Sequence, residues 1–155
     1  MKKLLCTLLF VSLVWAPSAH AFFYKAKCLV PEGKFKTCTL DFSKRNTLKI
    51  RYKKLDYQGL NKEIPGAGIQ HIAIGEQAKR RWATVGVGIY ALGPIGALFL
   101  LWKKKMAIFS VEYGSSKSPE AVLFGVPKKQ GATIGNMLES ISKVKVDYSN
   151  YGQAK

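Results

Sequence analysis

Cysteine and histidine are the residues of this 155-residue chain best suited to chemistry, and both are few. They are Cys6, Cys28, Cys38, His20 and His71. The segment between Cys28 and Cys38 contains Pro31-Glu32-Gly33-Lys34, which has the composition of a turn. The pair therefore predicts a disulfide that staples a hairpin or a short loop. The alternative, a metal-binding or redox pair, is disfavoured because there is no CxxC spacing and no nearby histidine.

The other polar residues form no recognisable catalytic motif. His71 lies on a predicted strand, where a lone histidine is more often a structural or surface residue than a ligand. The sequence contains no GxSxG, no HExxH and no P-loop. Acid–base and nucleophilic catalysis need polar groups that converge. We therefore predict a protein that is not an enzyme and that binds no cofactor and no metal.

The N-terminus has the three parts of a secretory signal peptide. A positive region, an apolar stretch and a small-residue cleavage site follow one another as Lys2-Lys3, residues 4–15 and Ala19-His20-Ala21. Cleavage after Ala21 would make Phe22 the new N-terminus. The alternative is an uncleaved signal anchor, which Pro17 disfavours because it breaks the helix just before the cleavage site. Residues 1–21 therefore predict export, with the mature chain at the extracytoplasmic or periplasmic face.

The charge of the chain is strongly positive. Its formal net charge is +16, and removal of residues 1–21 takes away two lysines, leaving 134 residues with a net charge of +14. So large an excess of one sign predicts an anionic partner: lipid headgroups, envelope polyanions or nucleic acid. Export makes nucleic acid the weakest of these three, so we expect a partner other than nucleic acid.

Alternating apolar residues predict several strands in one domain. Cys38, Leu40 and Phe42 alternate with polar residues, and Leu48, Ile50 and Tyr52 resume the pattern, which predicts a hairpin with one apolar face. The remaining predicted elements are a loop at 56–68, strands at 69–76, 107–113 and 122–126, a closing helix at 134–141 and a polar tail at 143–155.

The polar face of the second predicted strand carries three cations. Lys49, Arg51 and Lys53 are spaced two apart, so they point to the same side of the strand. This spacing fits either an ordinary solvated face or an anion-binding face.

A central apolar segment, residues 85–102, contains no charged residue over 18 positions. Basic and tryptophan residues flank it on both sides: Lys79, Arg80, Arg81 and Trp82 before, and Trp102, Lys103, Lys104 and Lys105 after. This composition is typical of a membrane interface, where indole rings lie among the headgroups and basic groups meet phosphates. The flanks predict that residues 85–102 enter a membrane.

Three geometries remain open for this apolar segment. As a helix of 18 residues it would reach about 27 Å, just enough for a single span of a hydrocarbon core about 30 Å thick. A membrane hairpin is the second possibility, with its bend at Gly93, Pro94 and Gly96. In the third, the segment folds into a soluble core or an oligomer contact. A single span would place the strands on its two sides across the bilayer from one another, whereas a hairpin would let them share one sheet.

The order of elements resembles bacterial pleckstrin-homology-like or GRAM-like domains over roughly residues 38–142. The residues that carry this resemblance are Ile64-Pro65, Ile69, Ile72, Gly75, the run Lys-Lys-Lys-Met-Ala-Ile-Phe-Ser-Val-Glu-Tyr at 103–113, the Val-Leu-Phe strand at 122–124 and Met137-Leu138-Glu139. The resemblance implies an α+β fold: a small antiparallel, bent sheet with a C-terminal helix, here with an inserted hydrophobic helix or helical hairpin. It also implies a membrane or protein adaptor. We expect one such domain at 22–142, interrupted at 82–102.

Two functions are compatible with these features. The first is a non-catalytic, membrane-associated protein of the cell envelope that acts as a lipid- or protein-interaction module, with anionic lipid as the expected partner. The second is a soluble secreted cationic protein that binds acidic envelope polymers or foreign membranes.

Overall fold

The computed structural model describes residues 22–84, 105–115 and 117–149. Its strands are β1 (Phe23–Leu29), β2 (Phe35–Asp41), β3 (Thr47–Tyr52), β4 (Lys62–Pro65), β5 (Ile69–Ile74), β6 (Met106–Ser115), β7 (Ser118–Pro127) and β8 (Val146–Asp147). The helices are α1 (Glu76–Thr84) and α2 (Gly131–Ser142), with short 3-10 helices at Leu55–Leu60, Gly66–Gly68 and Lys128–Gln130. The strands form one sheet in the order β4-β3-β2-β1-β7-β6-β5-β8.

The predicted fold class is wrong. The described residues form a single mixed sheet of eight strands, because β8 pairs parallel with β5 while the other strand pairs are antiparallel. In the described part of the chain no helix is an apolar insert, since α1, Glu-Gln-Ala-Lys-Arg-Arg-Trp-Ala-Thr, is mostly polar. The closing helix is present as α2, which contains the predicted residues 134–141. Part of the predicted polar tail, Val146–Asp147, is a strand.

The disulfide prediction is confirmed. Cys28 and Cys38 are bonded, with their Cα atoms 5.8 Å apart, and both are buried on the core side of the β1–β2 hairpin. In the register of this hairpin Cys38 lies opposite Ala26, so the bond runs diagonally between the two strands. The turn that joins them places Gly33 at a φ of 73°, a left-handed conformation that glycine adopts without strain.

The sheet must curl back on itself because of one short connection. Strands β4 and β5 are six strand steps apart in the order, about 29 Å in a flat sheet, yet only residues 66–68 join them. Such a linker reaches about 14 Å at most. Contacts across the curl agree, since Lys62 Nζ of β4 lies 2.5 Å from Glu120 Oε2 of β7 and 2.5 Å from the hydroxyl of Tyr113 of β6.

The concave side of this curled sheet, the core face, encloses the main hydrophobic core. Helix α2 covers it through Ile134 and Leu138, which are fully buried. Buried strand residues fill the rest: Ala26, Cys28, Cys38, Leu40, Leu48, Ile50, Ile64, Ile72, Ile74, Phe109, Val111, Phe124 and Val126. The rings of Phe109 and Phe124 stack at 5.6 Å between β6 and β7.

The convex side, the outer face, is covered by α1 over only part of its area. Ala78 of α1 packs with Ala73, Ile108 and Leu123, and Leu29 and Phe35 adjoin this small cluster. Helix α1 contacts β5, β6 and β7. Strands β1, β2 and β3 lie farther along the sheet than β5, β6 and β7. The side chains on their outer face are mostly polar.

Gly66 is a position at which the curl leaves no room for a side chain. A Cβ atom there would overlap the carbonyl oxygen of Ile141 at the end of α2, and the Gly66 amide donates to Asn46 O at 2.7 Å. We expect Gly66→Ala to lower the free energy of unfolding by about 2–3 kcal/mol. Gly68→Ala, two residues on with nothing within 4 Å of its added Cβ, should change it by less than about 1 kcal/mol. Urea denaturation would measure both, and equal losses would contradict the packing described.

Loss of the disulfide should destabilise the fold without changing its architecture. For a loop with a sequence separation of 10, the chain-entropy model gives a loss of about 3 kcal/mol in the Cys28→Ser/Cys38→Ser variant. Reduction of the unmodified protein should lower its unfolding midpoint to the same value. An unchanged midpoint after reduction would show that the bond does not constrain the unfolded chain.

Candidate functional site

The outer face of β1, β2 and β3 carries a basic patch in a regular grid. Antiparallel register places Lys25, Thr39 and Arg51 in one row across the three strands. Asp41 and Lys49 lie in the next row, with Glu63 of β4 beyond them. We call this patch the outer-face basic patch; its cations are Lys25, Lys27, Lys49 and Arg51. Neighbouring rows on one face of a sheet are close enough for these charges to interact.

Two cations of this patch are engaged by carboxylates. Arg51 Nη2 lies 3.7 Å from Asp41 Oδ2, and Lys49 Nζ lies 3.6 Å from Glu63 Oε2. Glu63 is shared, because Lys44 also forms an ion pair with it. Carboxylate partners reduce the charge that Lys49 and Arg51 can offer to an external anion.

Asp41 is the carboxylate that organises the patch. Its residue is only 2% exposed, and burial by itself would raise the pKa of its carboxyl. The amide and hydroxyl of Ser43 both donate to Oδ1, at 2.8 and 2.5 Å, and the charges of Arg51 and Lys49 act in the same direction. Together they outweigh burial and hold the pKa of Asp41 below its ordinary value.

The predicted trio Lys49, Arg51 and Lys53 is only partly brought together. Lys49 and Arg51 point to the same side of β3, as their spacing indicates, whereas Lys53 lies in a bend beyond the end of the strand. Sequence reasoning missed Lys25 and Lys27 on the neighbouring strand β1. Among the described residues neither of them forms an ion pair, and Lys27 Nζ donates to Thr37 Oγ1 at 2.8 Å. The alternation of Lys25 and Lys27 with Ala26 and Cys28 is the signal that could have identified them.

The predicted membrane-interface residues are described only in part. Lys79, Arg80, Arg81 and Trp82 belong to α1, where Arg81 Nη1 lies 3.8 Å from Glu112 Oε2 of β6. Lys105 directly precedes β6. The signal peptide with Ala19 and Ala21, the bend residues Gly93, Pro94 and Gly96, and Trp102, Lys103 and Lys104 lie outside the described residues. None of the helices within the described ranges has both the length and the apolar composition to cross a membrane.

Strands on the two sides of the apolar segment belong to the same sheet. Strand β5 ends at Ile74 and pairs along its length with β6, which starts at Met106. Strand β1 likewise pairs with β7 at Lys27 and Gly125. This sheet is incompatible with a single membrane crossing between residues 84 and 105, because that crossing would separate β5 from β6 by a bilayer. Both ends of the apolar segment are attached to one domain.

His71 lies on β5 next to polar residues of β6. It is opposite Glu112 in the β5–β6 register, and Ser110 is two residues away on the same strand as Glu112. His71 Nδ1, Ser110 Oγ and Glu112 Oε1 have no hydrogen-bond partner among the described residues. Ser110 is 1% exposed, so a substrate cannot reach its hydroxyl in this conformation. Within the described ranges no group of three or more His, Cys, Asp or Glu side chains is placed to hold a metal ion.

Comparison with known proteins adds no further information about this arrangement. No protein-family model matches the chain, and no curated protein is significantly similar to it. Membership of a pleckstrin-homology-like or GRAM-like family therefore stays a prediction.

The stability contributed by Asp41 should depend on pH. A carboxyl whose pKa is lowered by folding stabilises the fold above its unfolded pKa of about 3.9, and this contribution is lost as the pH falls through the folded value. We expect Asp41→Asn to cost about 1–3 kcal/mol at pH 7 and progressively less below about pH 4. The exposed turn residue Glu32 offers a matched control, Glu32→Gln. Urea titrations from pH 7 to 2.5 would measure the difference in unfolding free energy between the unmodified protein and Asp41→Asn. A difference that does not change with pH would contradict this role.

Proposed function

We propose that this protein is an exported, non-catalytic module that associates with the extracytoplasmic face of a membrane through residues 85–102. The observation that carries the proposal is the pairing of β5 with β6. It attaches both ends of an uncharged 18-residue sequence to one folded domain, so the segment can enter a bilayer and return without dividing the sheet. The predicted signal peptide supplies the route to that face.

The hydrophobic effect supports membrane entry of this segment. Residues 85–102 include Val85, Ile89, Leu92 and the run 98–101, Leu-Phe-Leu-Leu. Removing one such side chain from water contributes about 1.5–3 kcal/mol, so a few of them are enough for stable association. The described core of the domain is already filled by its own strands and α2.

The net positive charge supports association with anionic lipids. Each basic side chain close to an anionic surface adds about 1 kcal/mol, and salt screens this contribution. Hydrophobic insertion is not screened in this way. The two contributions are therefore separable by a salt wash, which is the basis of the test below.

A second candidate function is supported by the outer-face basic patch. Lys25 and Lys27 add positive charge there and form no ion pair with the described carboxylates, as a surface that binds an acidic envelope polymer would require. If this second function is correct, Lys25→Glu/Lys27→Glu should abolish retention of the protein by the cell envelope. If membrane association by the apolar segment is correct, the same variant should be retained with only a modest loss.

Membrane retention after a salt wash tests the proposed function. The mature protein should stay in the membrane fraction through 1 M NaCl, and Leu98→Asp should release most of it, because a carboxylate in the bilayer costs about 2.5–3.5 kcal/mol. Leu55→Asp is a matched control, since Leu55 is 80% exposed on the described domain and its change should release none. Complete removal of the unmodified protein by salt alone would contradict anchoring by residues 85–102.

A further inference from the structure

One end of the sheet collects aromatic and basic residues from distant parts of the sequence. Strands β1 and β6 begin at this end and β7 stops there, as the pairs Lys27–Gly125 and Met106–Pro127 establish. The amide of Lys128 donates to Lys105 O at 3.1 Å, which fixes the two segments side by side. The β2–β3 turn lies at the same end, because β2 pairs antiparallel with β1.

Two phenylalanines are exposed at this end. Phe22 and Phe23 keep 42% and 56% of their surface in contact with solvent. The amide of Phe42 donates to Phe22 O at 3.0 Å, so the backbone there is held against β2. Large apolar side chains that stay exposed cost solvation free energy unless another apolar medium covers them. Tyr148, 40% exposed, follows β8, which runs parallel to β5 toward this same end.

Exposed cations lie at the same end of the sheet as the two phenylalanines. We call this set the aromatic–basic end: Phe22, Phe23, Lys44, Arg45, Lys105, Lys128 and Lys129. The carboxylates at this end are Asp41, which is buried and pairs with Arg51; Glu63, which pairs with Lys44; and Glu76 at the start of α1. At the opposite end of the sheet, by contrast, the lysine that follows β3 is matched by an acid in the pair Lys54–Asp56.

We propose that the aromatic–basic end is the surface that lies against the bilayer, and that it binds anionic phospholipid headgroups while Phe22 and Phe23 enter the interface. The inference rests on the proposed membrane association and adds to it an orientation and a lipid class. Aromatic rings among lysines and arginines are suited to the headgroup region, where the rings reach acyl chains and the cations reach phosphates. Lys105, where the described chain resumes after the apolar segment, is part of this end.

The exposed phenylalanines distinguish a lipid surface from a soluble polyanion. A soluble acidic polymer would bind the cations but would offer no apolar medium to Phe22 and Phe23. A bilayer offers both, since binding of an interfacial element scales with buried apolar area together with electrostatic attraction. The observations therefore favour a phospholipid surface, and a soluble polyanion becomes an outcome of the test.

Site-specific fluorescence on vesicles tests the orientation. An environment-sensitive dye is attached at Lys129→Cys in one sample of the full mature chain and at Leu55→Cys, at the opposite end, in another. Both samples are mixed with vesicles of phosphatidylglycerol and phosphatidylcholine. We expect a blue shift and quenching by brominated lipid at position 129 and none at 55. Vesicle-bound protein in which position 129 stays in water would overturn this inference alone, whereas protein that binds no vesicles would overturn the proposed function as well.

Substitutions at the aromatic–basic end test the lipid class. Lys128→Ser/Lys129→Ser should weaken binding to anionic vesicles about thirtyfold and leave the weaker binding to neutral vesicles unchanged. Phe22→Ser/Phe23→Ser should weaken binding to anionic vesicles about tenfold or more, without affecting binding to dextran sulfate. The matched control Lys53→Ser/Lys54→Ser removes two exposed lysines from the opposite end and should have a much smaller effect. Equal losses from both lysine pairs, or loss of dextran sulfate binding by the phenylalanine variant, would overturn the assignment to lipid.

Discussion

The antiparallel pairing of β5 with β6 is the constraint on which the rest of the structure depends. These strands are the last before the apolar segment and the first after it, so their pairing makes one domain of the two halves of the chain. The three-residue link between β4 and β5 then requires the sheet to curl, and the curl encloses a core that α2 covers. A side chain at Gly66 would block this closure, because the end of α2 passes directly over it.

The positively charged side chains of this domain fall into two groups. Some form ion pairs that stabilise the fold, and others have no acidic partner among the described residues and can bind an external anion. Arg51 and Lys49 stabilise Asp41 and Glu63, and Lys62 binds Glu120 and Tyr113 across the curl. Partial burial opposes the charge on Lys62, but its hydrogen bonds to Glu120 and Tyr113, together with the charge interactions with these groups, outweigh burial and hold the pKa of the lysine above its ordinary value. At the aromatic–basic end Lys44 pairs with Glu63, but Arg45, Lys105, Lys128 and Lys129 form no ion pair with the described carboxylates, so these four are available to an anionic surface.

Local patterns in the sequence predicted local elements well. Alternation identified β2, β3, β6 and β7, turn chemistry and cysteine count identified the disulfide, and the apolar stripe identified α2. Non-local pairing was not predictable in this way. The insertion of β1 between β2 and β7, and the parallel addition of β8, depend on contacts between residues far apart in sequence, so the fold class was wrong. The outer-face basic patch could not be predicted in full for the same reason. Nothing near Lys49 and Arg51 in the sequence indicates that Glu63 pairs with Lys49 or that Lys25 lies beside them.

The most direct test of the account asks whether the two halves of the domain lie on the same side of the membrane. Gln58 precedes the apolar segment and Lys117 follows it, and both are exposed. In cells that express the full chain, a membrane-impermeant maleimide is applied from the extracytoplasmic side to Gln58→Cys and to Lys117→Cys. Both sites should be labelled at similar rates in intact cells, because one folded domain on one side of the membrane carries both. Labelling of position 58 with protection of position 117 until the membrane is disrupted would contradict it, because β5 and β6 could not then share one sheet.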